Sequence, residues 1–428
     1  MNLEHIFLIK KEAYLCLINL NTMREFDVSF NEFRDIMDGV KNNLNIKTQR
    51  FNDFVKFVNP INNNVRIKTE DTIINPVIIT SYDCNYNCTY CYQKKHKYIK
   101  SKMNSSDLKR IDNFYNKLCD YYGIEKKYGT ISIMGGEPLL LENKELVNNM
   151  FNFWDSKFLI TTNGTYLEEY ADILLDKKVE LHISLDGIKE SHYKDRITKD
   201  VFAYEKTIRG IKWAVENGKD VTVMTVFQPE NLNEYSLFFD LLESLGWLKK
   251  ENLKVHFSLK VRSGCDNIEQ DYLLQSIKAF VKLKEIDKRT NSVEAFRMIP
   301  NSFSFLENLH LSTYENCYDI YRCSSINAPN YTFTPDGEVH LCGLTRNDKL
   351  KIGLFREELF IDYELINKIR RRNIINMKSC EKCYHKFICK GGCIASAVEK
   401  YNDISHPFCS AWKEGELYNY MEEVFRNV

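Results

Sequence analysis

The chain has 428 residues, 44% of them apolar and 28% charged, as in a globular protein large enough for two or three domains. Its 59 basic residues balance its 59 acidic ones, so composition gives no electrostatic reason to expect a nucleic acid or an anionic membrane as partner. The first residues lack a basic segment followed by an apolar one, and no apolar run approaches the roughly 18–20 residues that cross a bilayer. We therefore expect a cytoplasmic protein, in which 14 cysteines indicate metal or redox chemistry rather than a disulfide framework.

The first 75 residues precede the main cysteine motif. Alternating apolar patterns predict strands at residues 5–10 and 13–20, and helical spacing predicts a helix at residues 29–44. We expect a small N-terminal α+β domain at residues 1–75.

Three cysteines, Cys84, Cys88 and Cys91, follow an apolar, β-branched run in the spacing C-x3-C-x2-C. Three thiolates on one side of a tight loop can hold three irons of a [4Fe–4S] cluster and leave the fourth iron open to a small molecule. With Tyr90 before the third cysteine and Tyr92 after it, the loop resembles that of the radical S-adenosylmethionine (SAM) enzymes. In that family SAM occupies the open iron, and one electron cleaves it to methionine and a 5′-deoxyadenosyl radical. That radical abstracts a hydrogen atom from the substrate.

Strand and helix patterns then alternate over residues 76–265, which predicts a parallel sheet with crossover helices. The predicted strands are residues 77–80, 130–134, 157–161, 180–185, 221–227 and 254–260. The predicted helices are residues 105–122, 144–154, 167–175, 203–217 and 234–245. Six such units make an α/β fold with a partial (β/α)6 TIM-like barrel, whose active face lies at the C-terminal ends of the strands.

Polar motifs at these strand ends resemble the SAM-binding elements of the same family: a GGEP element, a TNG turn and an SLDG turn. The resemblance implies SAM contacts from Tyr90, Gly135, Gly136, Glu137, Asn163, Ser184 and Arg196. Arg196 could present a planar fork to the SAM carboxylate, while His192 fits a structural role as well as a catalytic one. Cys265 follows the sixth strand and is the candidate catalytic residue, as a hydrogen or proton donor. The alternative for a single cysteine is a small buried apolar side chain.

The C-terminal region contains eight cysteines: Cys317, Cys323, Cys342, Cys380, Cys383, Cys389, Cys393 and Cys409. Eight thiolates are the number that two fully ligated [4Fe–4S] clusters require. Structural zinc is the competing interpretation, because C-x2-C pairs also bind zinc; eight cysteines in this order, behind the first loop, favour iron–sulfur.

The spacing of these cysteines, through the KGGC element at residues 390–393, resembles the SPASM domain, an auxiliary-cluster extension of radical SAM enzymes that modify peptides and proteins. The resemblance implies that Cys317, Cys323, Cys342 and Cys393 hold auxiliary cluster I. It assigns Cys380, Cys383, Cys389 and Cys409 to auxiliary cluster II.

These observations predict an N-terminal domain at 1–75, a radical SAM barrel at 76–265, a helical connector at 266–312 and a SPASM domain at 313–428. The predicted function is that of a peptide maturase: an enzyme that uses SAM and three [4Fe–4S] clusters to form a thioether or carbon–carbon cross-link in a ribosomally made peptide. Its expected partners are a precursor peptide and a reductant such as flavodoxin or ferredoxin. The N-terminal domain is compatible with a winged-helix domain that binds a leader peptide, or with a plain extension that caps the barrel.

Two other functions compete with this one. An anaerobic sulfatase maturase has the same architecture, but that group has an aspartate directly after the cysteine matching Cys342, where this chain has Gly343. The second competing function is that of a non-catalytic metal-binding scaffold, which would have no use for the SAM motifs.

Overall fold

The computed structural model describes residues 6–10, 14–19, 24–41, 49–58, 73–227, 232–259, 296–298, 323–327, 329–381, 383 and 390–409. Within these ranges, no helix combines the length and apolar character needed to cross a membrane. Cys265, Cys317 and Cys389 lie outside the described residues.

The N-terminal part is a three-stranded antiparallel sheet with two helices. Its elements are β1 (Ile6–Lys10), β2 (Leu15–Asn19), β3 (Arg24–Val28), α1 (Phe30–Lys41) and α2 (Gln49–Val58). The strands lie in the order β1-β2-β3. Leu15, Leu17, Val28, Ile36 and Phe54 form its small core. Two strands and the first helix were predicted, whereas β3 and α2 were not.

The central part is a parallel sheet with crossover helices, as predicted. The strands of this part are β4 (Ile73–Ile74), β5 (Val77–Ile79), β6 (Lys127–Tyr128), β7 (Thr130–Met134), β8 (Lys157–Thr162), β9 (Val179–Ser184), β10 (Asp220–Phe227), β11 (Leu253–Leu259) and β12 (Phe296–Met298). Strands β4 and β6 pair with each other in a separate two-stranded parallel sheet. Its helices are α3 (Ser105–Tyr122), α4 (Lys144–Phe153), α5 (Ala171–Leu174), α6 (Lys189–Asp195), α7 (Ala203–Glu216) and α8 (Leu232–Ser244). From β5 to β12 the main sheet runs in the order β5-β7-β8-β9-β10-β11-β12, and every pair is parallel. The partial-barrel prediction is confirmed.

The C-terminal part continues the same sheet on the other side of β5. It contains β13 (Thr332–Phe333), β14 (Glu338–His340), β15 (Lys351–Leu354), β16 (Phe360–Ile361), α9 (Ser324–Asn327), α10 (Tyr363–Arg370) and α11 (Ile394–Tyr401). Strand β13 pairs with β5 in parallel, and β14, β15 and β16 follow as antiparallel neighbours. The barrel and the cysteine-rich tail therefore share one eleven-stranded sheet.

The region at 266–312 was predicted to be helical. The three residues described there form β12 instead, which adds to β11 as a further parallel strand. The helical pattern was wrong at this position, because pairing with an exposed sheet edge overrides a weak local preference.

Candidate active site

The cysteine loop that follows β5 is held on both sides by backbone hydrogen bonds. On one side Gly136 N donates to Ser81 O at 2.8 Å, and Glu137 N donates to Asp83 O at 2.8 Å. On the other side Asn87 N donates to the carbonyl of Ile197 at 2.7 Å. The loop conformation is thus fixed by the GGEP element and by the segment after α6.

Two of the three loop thiols have N–H donors nearby. Cys84, Cys88 and Cys91 are all partly exposed and form no disulfide. Cys84 Sγ accepts from Tyr86 N at 3.3 Å, and Cys88 Sγ lies 4.0 Å from Arg196 Nη1. Burial raises the pKa of the Cys84 thiol to about 12, so a bound metal would have to displace its proton. Three thiols on one loop, two of them within reach of N–H donors, fit a cluster bound through three thiolates.

Among the described residues, no three His, Cys, Asp or Glu side chains gather as ligands of a single metal ion. Cysteines that hold an iron–sulfur cluster bind different irons, so they lie farther apart than the ligands of one ion.

Glu137 is a buried carboxylate that joins two strand ends. Its side chain is almost fully enclosed. One oxygen accepts from Leu139 N at 2.9 Å and from the Thr162 hydroxyl at 2.6 Å. The other accepts from Asn163 N at 2.7 Å. With both oxygens occupied, Glu137 holds the GGEP element against the TNG turn.

Burial raises the pKa of the Glu137 carboxyl from 4.5 to about 7, although its hydrogen-bond donors oppose the shift. The folded chain therefore binds a proton that the unfolded chain releases between these two values. This contribution to stability is present below the lower value and is lost as pH rises to the higher one. The wild-type protein should lose about 1 kcal/mol relative to Glu137→Gln between about pH 6 and about pH 8. Urea unfolding of the cluster-free proteins, followed by tryptophan fluorescence, measures this difference; a constant or growing wild-type advantage would contradict it.

A buried ion pair lies beside the cysteine loop. Arg196 Nε donates to Asp186 Oδ2 at 2.7 Å, and both side chains are less than 10% exposed. The Tyr90 hydroxyl donates to the same carboxylate, which also accepts from Val226 N at 2.9 Å. Tyr90 and Arg196, both expected to contact SAM, are thus oriented by Asp186, a residue that was not singled out in the sequence.

Two further strand-end residues were expected at the SAM site. Asn163 is buried, and its Nδ2 donates to Asn85 Oδ1 at 2.7 Å, which ties the TNG turn to the cysteine loop. Ser184 ends β9 and is partly buried. His192 Nδ1 accepts from Asp186 N at 3.2 Å, and burial lowers the pKa of this imidazole to about 3. His192 is therefore a neutral side chain that supports the SLDG turn.

Several buried polar atoms beside the loop have no hydrogen-bond partner within the described part of the protein. They include Thr80 Oγ1 and Asn85 Nδ2. Because buried polar groups are normally paired, these atoms are positions that a bound ligand would satisfy. Asn85 lies inside the first cysteine motif and Thr80 at the end of the run before it, but neither was named as a site residue from the sequence.

The tail thiols fall into two groups. The pKa of the Cys342 thiol is raised to about 12, mainly by burial, and the neighbouring Cys393 and Cys323 thiols contribute to this rise. Burial likewise raises the pKa of Cys409, with a further contribution from Cys383. The structure thus brings together the three described members of the first predicted set and two members of the second.

The KGGC element at residues 390–393 is fixed by a buried arginine. Arg372 donates to the carbonyls of Gly391, Gly392, Ile404 and His406 at 2.7–3.1 Å. A Cβ at Gly392, where φ is +69°, would clash with the carbonyl of Phe408. The glycines therefore permit the tight turn that leads into Cys393.

The cysteine loop and the tail meet through two aromatic residues. Burial raises the pKa of the Tyr92 phenol, and the Cys91 and Cys342 thiols both add to the shift, so Tyr92 lies near thiols of both regions. Tyr82 accepts from Arg346 Nη1 at 3.2 Å, and the same guanidinium is paired with Asp336 in the tail at 2.6–2.9 Å.

Comparison with known proteins identifies the central part. Residues 78–242 match the profile of the Radical SAM superfamily. A probable GTP 3′,8-cyclase of Methanococcus aeolicus is 30% identical over 46% of this chain, and the chain spans 66% of that protein, just under two thirds. A cysteine-type anaerobic sulfatase-maturating enzyme of Clostridium perfringens is 23% identical over 78% of this chain and 92% of its own length.

Solved structures share the fold over more of the chain. The structure of anSMEcpe with bound AdoMet and Cp18Cys peptide has a TM-score of 0.58 at 17% identity, covering 83% of this chain and 97% of that one. Streptococcus suis SuiB bound to the precursor peptide SuiA has a TM-score of 0.56 at 15% identity, covering 96% of this chain and 98% of that one. This protein therefore carries a radical SAM domain at residues 78–242, within a fold that both of these proteins share.

Proposed function

We propose that this radical SAM enzyme oxidatively modifies a ribosomally synthesised peptide, forming a thioether or a carbon–carbon cross-link. The observation that carries the proposal is the junction of the two cysteine regions. Strand β13 pairs directly with β5, and Tyr92 lies near both Cys91 of the first loop and Cys342 of the tail, since both thiols raise its pKa. A single site with thiols from both regions suits an enzyme that must first remove a hydrogen atom from its substrate and then accept an electron from the resulting substrate radical.

The residues proposed to hold the cofactors are those expected from the sequence. Cys84, Cys88 and Cys91 would bind the first cluster, and the two sets of tail cysteines would bind two more. When bound, the first cluster and SAM would supply the carbon radical that removes a hydrogen atom from the peptide.

The chain's own contribution is to position these groups. Glu137 fixes the GGEP element, and Asp186 holds Arg196 beside Cys88. Within this proposal the four predicted domain ranges remain as stated, the protein is cytoplasmic, and residues 1–75 are the candidate leader-binding part.

The partner proposed for the site is a precursor peptide. SuiB, described above with its precursor peptide, is similar in fold over 96% of this chain, including the N-terminal part. The cyclase relatives align with 39–64% of it, so a nucleotide substrate would leave about a third of the chain or more without a counterpart.

A sulfatase maturase is the second candidate, because a relative of that name aligns over 92% of its own length. Against it stands Gly343, which offers no carboxylate after Cys342. A Cβ at Gly343 would make only ordinary contacts, 3.4 Å from Thr332 Oγ1 and 3.9 Å from Met134 Sδ. A side chain could therefore begin at this position without a clash at its Cβ, so a clash at the Cβ does not account for the missing carboxylate.

The test compares three substrates with anaerobically reconstituted enzyme, SAM and dithionite. They are a short peptide encoded beside the gene, a cysteine-containing sulfatase peptide and GTP. We expect the encoded peptide alone to raise the yield of 5′-deoxyadenosine above the substrate-free level. Formylglycine in the sulfatase peptide would favour the second candidate, and stimulation by GTP alone would contradict both.

A further inference from the structure

The inner face of the barrel carries polar side chains along β9. Every second residue from Val179 to Ile183 is buried in the main core with the crossover helices. Glu180, His182 and Ser184 alternate with them and are only partly buried. Because successive side chains of a strand point to opposite sides of the sheet, these three residues face away from the helices, toward the interior of the barrel.

His182 is held by a short chain of hydrogen bonds on this face. Lys157 Nζ donates to Glu180 Oε2 at 2.7 Å, and His182 Nε2 lies 3.1 Å from Glu180 Oε1. A carboxylate can only accept, so Nε2 carries the proton and Nδ1 of the neutral ring is left as an acceptor. Within the described part of the chain, this is the one hydrogen bond of the ring. The carboxylate thus orients the imidazole and leaves its other nitrogen available.

The charge states of this chain of residues suit a proton acceptor. Burial lowers the pKa of the His182 imidazole, and the Lys157 charge adds to the fall, while Glu180 opposes it. The ring is therefore uncharged at neutral pH. Burial acts to raise the pKa of the Glu180 carboxyl, but hydrogen bonds from Lys157 and His182 outweigh it and hold that pKa below its usual value. An ionised Glu180 would stabilise the imidazolium that forms when His182 takes up a proton.

Three other titratable residues of the same face lie on the neighbouring strands. Asp220 of β10 pairs in register with Glu180. Lys254 of β11 lies in the same row as His182, two strands away, and His256 follows two residues later. Burial lowers the pKa of His256, and the nearby His182 adds to the fall. None of the three hydrogen-bonds to His182 in the structure as described, so Glu180 is the residue that orients it.

The cysteine-rich tail reaches the same row of the inner face. Strands β7, β8 and β9 pair in a register that places Met134, Thr161 and His182 side by side. Two strand spacings separate the ends of this row, or about 10 Å. A Cβ at Gly343, directly after Cys342, would lie 3.9 Å from Met134 Sδ. The tail therefore faces this row with a residue that has no side chain to accept a proton.

His182 also lies close to the expected SAM site. Ser184, an expected SAM contact, is two residues further along β9 on the same face, which corresponds to about 7 Å. A peptide placed between SAM and Cys342 would lie over the row that contains His182.

We propose that His182, oriented by Glu180, accepts the proton that the peptide releases when its cross-link forms. The proposal rests on the proposed function, because only a cross-linking reaction releases this proton. For a thioether, a peptide carbon loses a hydrogen atom to the 5′-deoxyadenosyl radical and a cysteine thiol loses its proton to His182 Nδ1. The carbon–sulfur bond forms, and one electron passes to a cluster of the tail. For a carbon–carbon cross-link, the proton comes from the second carbon.

The first test separates hydrogen abstraction from cross-link formation. Reconstituted enzyme is incubated with SAM, dithionite and the encoded peptide, and 5′-deoxyadenosine and cross-linked peptide are quantified separately. His182→Gln should form at least about 100-fold less cross-link, while its yield of 5′-deoxyadenosine stays within about threefold of the wild type, because the proton leaves after the hydrogen atom. Equal cross-link yields from the variant and the wild type would overturn the proposal.

The matched control is His256→Gln, which removes the same type of side chain from the same face. It should retain most of the cross-link yield, since no carboxylate among the described residues hydrogen-bonds to His256 as Glu180 does to His182. Iron content and circular dichroism establish that both variants are folded and loaded. An equal loss of cross-link in both variants would overturn the proposal.

A second pair of variants keeps His182 in place and shifts its pKa in opposite directions. Glu180 raises this pKa and Lys157 lowers it. The ratio of cross-linked peptide to 5′-deoxyadenosine should fall as pH drops through the pKa, because the protonated ring accepts no proton. This fall should move to lower pH in Glu180→Gln and to higher pH in Lys157→Gln. The same pH dependence in both variants and the wild type would overturn the proposal.

Contact with the peptide is measured without catalysis. Diethyl pyrocarbonate modifies neutral imidazoles, and the bound precursor peptide should slow modification of His182, as read by mass spectrometry of the protein; an unchanged rate would contradict the proposal. The proton acceptor and the proposed function can fail separately. If the wild type and His182→Gln cross-link the peptide equally, the proposed function stands and the acceptor does not. If the wild type forms no cross-link, both fall.

Discussion

Replacing Cys88 with alanine is expected to reduce 5′-deoxyadenosine formation to background and to lower the iron content of the reconstituted protein from about twelve to about eight per chain. Only Cys84, Cys88 and Cys91 supply thiols on the loop, so the variant retains two ligands for a cluster that needs three. The two clusters assigned to the tail would keep all of their ligands. Iron analysis and chromatography of the SAM products measure both effects.

The matched control is Cys119→Ala. Cys119 is also a free thiol, but it is buried in α3. Removal of its sulfur should cost packing energy without affecting either measurement. Equal 5′-deoxyadenosine yields from the two variants would refute the assignment of the loop. Zinc in the tail, with iron enough for one cluster only, would refute the assignment of the eight tail cysteines.

Gly136→Ala should lower the rate of SAM cleavage by about 100-fold, because a displacement of about 1 Å in a catalytic group can have that effect. An added Cβ would clash with the carbonyl oxygen of Asp83 and lie 2.7 Å from the carbonyl carbon of Tyr82. Both atoms are backbone and cannot rotate away, so the loop itself must move, and Cys84 moves with it. The rate is measured with dithionite as reductant, which makes it independent of any carrier protein.

Gly218→Ala provides the comparison for this variant. Gly218 has a φ of +69° and no atom within 4 Å of its Cβ position, so alanine there strains the backbone without displacing a neighbour. It should cost about 1 kcal/mol of stability and leave the rate of SAM cleavage unchanged. A Gly136→Ala enzyme as active as Gly218→Ala would show that the approach of the GGEP element to the loop is not needed.

Local sequence patterns were sufficient to predict most strands and helices of the barrel. Helix α3 was predicted to the residue, and the structure shows what fixes its ends: Asn104 and Asp107 form a capping box at its start, and Gly123 ends it in a left-handed conformation. Strand β7 was also predicted to the residue, and the other strands of the main barrel agreed to within a residue at nearly every end. Buried parallel strands have apolar, β-branched patterns that can be recognised without knowledge of their partners.

Contacts between distant segments could not be predicted in the same way. Nothing near Thr332 indicates that β13 pairs with β5, some 255 residues earlier in the chain. The Asp186–Arg196 pair and the bond from Arg346 to Tyr82 are of the same kind. Such pairs depend on register and packing in the finished fold. For that reason Arg196 was expected to contact SAM, while Asp186, whose carboxylate orients it, was not identified from the sequence.

The spacing of the tail cysteines suggested two sets through a resemblance only. The described members agree with that grouping, since Cys342 is influenced by Cys393 and Cys323, and Cys409 by Cys383. Spacing alone could not show that Cys393 returns to the first set, because the turn that brings it there depends on the buried Arg372.

Hydrogen transfer from a deuterated precursor peptide tests the proposed chemistry most directly. The reconstituted enzyme is incubated with SAM, dithionite and the encoded peptide deuterated at its carbon-bound positions. The masses of the 5′-deoxyadenosine and of the peptide are then measured by mass spectrometry. The predicted result is deuterium in 5′-deoxyadenosine, together with a peptide that has lost hydrogen in a new cross-link. Formation of 5′-deoxyadenosine without deuterium, and a peptide of unchanged mass, would contradict a radical that acts on the peptide.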